Sequence, residues 1–322
     1  MTDHYQALGL SCFGPASFLK APVIAPDGEW CADIAYLGIP FDQATGFRPG
    51  TRWGPKAIRD MSVRFSALSA PGQPGFYDLR TENDRATCTF VDCGDVDILP
   101  LLWERDFDII TAAVEAIITH GALPLVAGGD HAVSFPIVRA YHGRGPITVV
   151  HFDAHLDYRD EAMGVRYGHG NVLRRVRELP FVERVVSLGI RSLRTRREDH
   201  EAHRAHGNEL IPAWEIHAGS AADIAVRLPV GRDVYVTFDI DAMDPAIAPG
   251  TGTPEVGGLS FEQARTLLEG VCVRNRVVGF DLVEVNPGLD PSGITALLAV
   301  QILLEFVGFL HRGSRGIPSP TR

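Results

Sequence analysis

Short β-branched and apolar runs alternate along this chain with longer segments whose apolar residues recur at helical spacing. The runs predict strands over 33–38 and 88–92, from Leu123, from Ile147, over 184–190 and 209–212, from Val234, and over 277–285. The helical spacing predicts helices from Trp53, over 108–120, from Ser134 or Pro136, over 171–178, 221–228 and 260–270, and beyond Gly293. Gly121 is a C-cap signal, and Ser260 with Gln263 forms a capping-box pattern. Residues 191–205 read as a polar helix or loop, and 70–85 as a turn-rich loop. Residues 1–30 read as an irregular arm on the body or on a neighbouring subunit. No linker interrupts the alternation, so a single domain over 1–322 is expected. The fold class is α/β, three-layer α/β/α, with a mostly parallel sheet of about eight strands.

Polar residues gather where three of the strands end. The Ile147 run finishes in Asp153-Ala154-His155-Leu156-Asp157, and side chains two apart on an extended chain share a side. The Val234 run finishes in Asp239-Ile240-Asp241. The Leu123 run passes through Gly128-Gly129 to Asp130-His131. Carboxylates held this close repel one another, and a divalent cation removes the conflict. Two imidazoles and four Asp are too many for one ordinary site. They suit a bridged metal pair about 3.5–4 Å apart.

Composition narrows the partners. The chain has 322 residues, 45% of them apolar, which is enough for a sizeable core. A formal net charge of −10 disfavours nucleic acid and anionic membrane. The cysteines are Cys12, Cys31, Cys88, Cys93 and Cys272, an odd set without a Cys-x-x-Cys pair, as in a cytoplasmic protein with reduced thiols. No signal peptide or membrane-spanning run is evident; the stretch 294–310 contains Gln301 and Glu305 and reads as a core helix.

Gly128-Gly129-Asp130-His131, Asp153-Ala154-His155-Leu156-Asp157 and Asp239-Ile240-Asp241-Ala242-Met243-Asp244-Pro245, in this order, resemble the ureohydrolase family of arginases, agmatinases and related amidinohydrolases. The segments 47–55 and 248–259 look more like the agmatinase branch. The resemblance implies two divalent metals, manganese or nickel, on His131, Asp153, His155, Asp157, Asp239 and Asp241, with Asp153 and Asp239 as bridging candidates. It implies Glu284 as the guanidinium-binding carboxylate and His169 as the proton shuttle. Asp157 is a further catalytic candidate, orienting the nucleophile. The implied reaction makes physical sense. A guanidinium carbon is a poor electrophile, and two metals sharing a water supply hydroxide at neutral pH.

The substrate cues diverge. Arg159 and Arg166 suit a carboxylate tail, whereas Asp160, Glu161 or Glu255 suit an amine. Gly164 to Gly170 resembles the loop of enzymes acting on guanidino acids, while the Glu255 segment leans toward agmatine. His169-Gly170 is followed by Asn171-Val172-Leu173, where relatives commonly have Thr and a nearby Phe. Agmatine and 4-guanidinobutanoate are therefore both expected candidates, with another guanidino acid or a substituted guanidine as the alternative. A non-catalytic subunit partnering an active homologue is the reading from another class, and its sign would be missing ligands. All six are in place. The family resemblance implies a homo-trimer or homo-hexamer. Of the other histidines, His151 is expected to be buried and hydrogen-bonded, His142 to lie on the surface, and His200, His203 and His206 to line a solvated helix face.

Overall fold

The computed structural model describes residues 14–66 and 75–310. Ten strands appear among them: β1 Ile34–Ile39, β2 Phe76–Asp78, β3 Asn83–Arg85, β4 Phe90–Asp95, β5 Leu123–Gly128, β6 Ile147–Phe152, β7 Val182–Ile190, β8 Glu209–Pro212, β9 Asp233–Asp239 and β10 Arg276–Val283. Eight form one sheet in the order β4-β1-β5-β10-β9-β6-β7-β8, and every neighbouring pair is parallel.

A parallel sheet is buried on both faces, so its strands need apolar residues of both parities. In β6, Val149 joins one apolar cluster and Val150 the other. Helices α1 Gly54–Ser62, α7 Ala221–Arg227, α8 Phe261–Arg274 and α9 Ile294–Leu310 cover the first face through residues such as Ile58, Ile224, Leu267 and Leu303. Helices α2 Trp103–Thr119, α3 Ser134–Arg139 and α4 Val172–Arg177 cover the second through Ile110, Ile137 and Val176. Two further helices, α5 Arg197–Ala205 and α6 Ala213–Ala218, flank β8 in sequence. The three-layer α/β/α expectation agrees with this arrangement. Helix α9 is mostly buried, with Gln301 exposed. Among the described residues no helix is long and apolar enough to cross a membrane.

Several boundaries differ from the sequence reading. Residues 76–85 hold the β2–β3 hairpin where a loop was expected; 67–74 lie outside the described residues. Three-residue strands are too short to show a period. Buried Arg85 pairs with Asp78 at 2.6 Å across the hairpin and supplies the missing cohesion. Strand β4 runs to Asp95 rather than Asp92, because Arg59 from α1 pairs with both carboxylates. Helix α2 starts five residues earlier than expected, with Glu104 and Asp106 in its first turn, where the helix dipole favours acids. Helix α6 had no sequence expectation. The described part of the N-terminal arm lies on the body: Phe18 stacks on Tyr36 at 4.3 Å and Val23 bridges to Asp92. Residues 1–13 lie outside the described residues.

The topology opens a crevice at the carboxyl ends. After β5 the chain crosses three strand positions to build β6, and β9 and β10 later fill the gap. The ends of β5, β10, β9 and β6 therefore stand side by side, where open α/β sheets bind ligands.

Candidate metal centre

Each of the four central strands delivers polar residues at its end. Beyond β5, Gly128 and Gly129 let the chain pass through tight packing. A Cβ on Gly129 would overlap the Phe41 carbonyl, and one on Gly128 would meet Val133 and Val283 at 2.7 Å. The next residue, Asp130, caps a short 3-10 turn by accepting from Ala132 N at 3.0 Å, which seats His131 over the sheet end. After β9, Asp239 does the same, accepting from Asp241 N at 2.8 Å. Asp239 and Asp241 thus converge through a 3-10 turn rather than by strand alternation. After β6 the chain leaves extended geometry, and Asp157 sits in the left-handed region at φ 49°. Glu284, just past β10, does so at φ 65°. Both are strained positions for non-glycine residues, of the kind that clusters at functional sites.

The result is a compact buried cluster. His131 Nδ1 lies 3.2 Å from Asp153 Oδ2, 3.4 Å from Asp157 Oδ2 and 3.2 Å from Asp239 Oδ2. It is fully buried yet forms a hydrogen bond to none of them. A nitrogen aimed between three carboxylates without bonding to any suits a cation held among them. His155 Nδ1 lies 3.0 Å from Asp241 Oδ2 and 3.4 Å from Asp153 Oδ1. Two close groups of donors share Asp153: His131, His151 and Asp153 in one, and Asp153, His155 and Asp241 in the other, with Asp157 and Asp239 beside His131. The six residues expected as ligands are thus brought together, and their donor set fits a pair of divalent ions.

Burial and crowded charge shift the groups of the cluster strongly. Burial and the neighbouring Asp241 and Asp153 push the Asp239 carboxyl well above its usual range. Burial opposes charge on His131, but the surrounding carboxylates outweigh it and raise its pKa well above normal. His155 is raised in the same way by Asp241 and Asp153. Cations binding here would displace protons from these groups.

Supporting contacts orient the cluster. His131 Nε2 meets Thr237 Oγ1 at 2.9 Å, and Thr237 donates to buried Asp281 at 2.7 Å. His151 is fully buried, as expected, with Nε2 donating to Asp153 Oδ2 at 2.8 Å and Nδ1 facing Ser187 Oγ at 3.1 Å. Both ring nitrogens of His151 are thus engaged, one of them on Asp153. His203 continues the chain to Ser187 at 3.4 Å and is only 1% exposed, which corrects the expected solvated histidine face. Its ring is enclosed by Tyr158, and burial lowers its pKa to about 3. His142 is exposed, as expected. Sequence reasoning missed Thr237, Asp281 and Arg191. The Arg191 guanidinium donates to the Asp241 carbonyl at 2.8 Å and the Glu255 carbonyl at 2.7 Å, pinning that loop. Nothing local in sequence marks it.

A cleft of about 350 Å³ opens above the cluster. His155, Asp157, Asp239 and His169 line it beside the ligand groups. Glu284 is 2% exposed; its Oε1 accepts from His131 N at 3.0 Å and faces His169 Nδ1 at 3.3 Å. Oε2 has no hydrogen bond among the described residues. Of the expected specificity residues, Arg159 lines the cleft. Arg166 instead pairs with Asp160 at 3.1 Å. Glu255 accepts from Ser192 Oγ at 2.6 Å and lies 3.5 Å from His155 Nε2.

Comparison with known proteins gives a consistent picture. The Arginase family model matches residues 32–308. The chain is 37% identical over 302 residues to the mitochondrial guanidino acid hydrolase of Homo sapiens, covering 91% of this chain and 82% of that one. It is 38% identical over 302 residues to the guanidinobutyrase of Pseudomonas aeruginosa, covering 91% and 92%. Among solved structures, the proclavaminate amidino hydrolase of Streptomyces clavuligerus superposes with a TM-score of 0.82 at 32% identity, covering 94% of this chain and 99% of the other. The cluster geometry and the near-complete match agree, and the chain belongs to the arginase family.

Proposed function

We propose that this protein hydrolyses the amidino C–N bond of a linear guanidino compound to urea and an amine, with two divalent metals on His131, Asp153, His155, Asp157, Asp239 and Asp241. The observation that carries the reading is the buried, unbonded His131 Nδ1 facing three carboxylates. When bound, the metal pair supplies hydroxide at neutral pH. The chain's own residues do the rest. Glu284 Oε1 is already engaged, which leaves Oε2 to accept a guanidinium N–H and hold the substrate carbon over the cluster. Asp157 accepts a hydrogen bond from the attacking water and orients it. Asp153, close to both His131 and His155, and Asp239, close to His131, would be the candidates to serve both ions.

His169 carries the proton to the leaving amine. Burial lowers its pKa, but the Glu284 carboxylate outweighs that and raises it to about 9. Bound cations draw it back down, because like charge disfavours imidazolium. The donor is present below this pKa and lost as pH rises through it. An alkaline fall in kcat is therefore expected no higher than about pH 9. His169→Ala is expected to lower kcat by about 10²–10⁴-fold, remove that fall and leave metal content unchanged. Wild-type kcat, or the same alkaline midpoint, would contradict the role.

Manganese is the favoured metal and nickel the alternative, since two imidazoles among carboxylates suit both. Agmatine and 4-guanidinobutanoate are the favoured substrates. A cytoplasmic homo-trimer or homo-hexamer completes the reading. Measuring urea release across a guanidine panel, with each metal restored to stripped protein, tests it; release from no member would overturn it.

A further inference from the structure

Three charged groups in the cleft lie away from the metal cluster: Arg159, Arg194 and Asp199. Arg159 is held by its backbone, donating to Gly170 O at 3.2 Å and accepting from Asn171 Nδ2 at 2.9 Å. Its buried Nε lies 3.6 Å from Asp199 Oδ2, an ion pair too long for a hydrogen bond. Arg194 stands on the loop between β7 and α5. Its backbone N–H donates to Ser192 Oγ at 3.2 Å, and that hydroxyl donates to Glu255 at 2.6 Å, so the loop is tied to the site. The Arg194 side chain is exposed to the cleft and forms no ion pair among the described residues.

Of the acids that would hold an amine, Glu161 does not line the cleft and the other two are engaged elsewhere. Asp160 pairs with Arg166 and Arg175, and Glu255 faces Ser192 and His155. Only Asp199 remains in the cleft, and an ammonium there would compete with Arg159. Two guanidiniums against one carboxylate leave a net positive outer cleft, which favours a carboxylate through charge-assisted, forked hydrogen bonds. Arg159 follows Asp157 by two residues, which limits their Cα separation to about 7 Å. A three-methylene spacer puts a carboxylate roughly 6 Å from a guanidine carbon, a reach of the same order as that separation.

We propose that Arg159 and Arg194 form a carboxylate subsite, which makes the substrate an ω-guanidino acid rather than an amine-tailed guanidine. The proposal rests on the hydrolase reading above and names the substrate class of the same cleft. It moves the second clamp position from Arg166, which the structure pairs with Asp160, to Arg194.

The test compares 4-guanidinobutanoate with agmatine, which match in length and differ in the charge at the tail. The metal-loaded full chain is assayed for urea release on both, and the two kcat/KM values are taken as a ratio. The wild type is expected to favour the acid. Arg194→Gln and Arg159→Gln are each expected to lower the acid-to-amine ratio by about 10–100-fold, chiefly through KM for the acid. Arg194→Lys should restore part of the loss, because charge without the fork keeps part of the interaction. A wild type that favours agmatine, or a ratio unchanged in Arg194→Gln, would overturn the subsite. Calorimetric binding of both compounds separates the two readings. If neither these two nor any other member of the guanidine panel yields urea, the hydrolase reading has failed. Binding of the acid that Arg194→Gln weakens would still uphold the subsite, and no binding, or binding insensitive to Arg194→Gln, would overturn it.

Discussion

Asp239→Asn is expected to abolish turnover and strip metal from the protein while leaving the metal-free fold at least as stable as before. Asp239 is 3% exposed and sits against Asp153, Asp241 and His131. Burial and its like-charged neighbours already penalise its ionised form. Asn has the same shape and can still accept from Asp241 N, the bond that shapes the 3-10 turn. Without metal, the substitution therefore relieves repulsion and should not lower Tm. With metal, it removes a charge that a cation needs. Stabilisation on metal addition, about 2.7 kcal/mol at a hundredfold excess over Kd, should largely vanish. Activity should fall by at least about 10³-fold, because metal coordination is what brings the nucleophile's pKa from 15.7 to about 7. Metal analysis, thermal melts with and without metal, and urea assays together check this. Normal metal content with full activity would remove the assignment.

Glu284→Gln is expected to cost about 10²–10³-fold in kcat/KM at unchanged metal content. Gln keeps an oxygen to accept from His131 N, so the local backbone, at φ 65°, has no new reason to move. The other position now presents an N–H toward a guanidinium that has only donors. Breaking one partner of a buried charged pair costs about 2–5 kcal/mol, roughly 30- to 5,000-fold, and the expected loss lies in the middle of that span. Steady-state kinetics beside metal analysis separates this outcome from that of Asp239→Asn. Unchanged kcat/KM would exclude Glu284 as the guanidinium partner. Loss of metal would move it into the ligand set.

Both substitutions fall on residues legible in the sequence, for reasons the structure qualifies. The strands were visible because a sheet buried on both faces demands continuous β-branched runs such as Ile147 to Phe152. The clustering of donors at the ends of those runs marked the site. Strand geometry, however, accounts only for Asp239, the last residue of β9, and Asp153, the first beyond β6. Asp157 reaches the cluster through a left-handed residue and Asp241 through a 3-10 turn, and neither geometry is written in local residue types. His203 looked solvated because its sequence neighbours are charged; Tyr158 and Ser187, distant in sequence, bury it. Arg191 gave no signal for the same reason, since its partners come from other loops. Arg166 looked available because Asp160, its partner six residues earlier, belongs to a loop without a period.

The account stands on the convergence of six side chains around a pair of cations. Crystals of manganese-loaded protein, measured at the metal's absorption edge, test this most directly. The account predicts two anomalous peaks per chain about 3.5–4 Å apart, with His131 on one, His155 on the other and Asp153 on both. A single peak, or peaks distant from these residues, would contradict it.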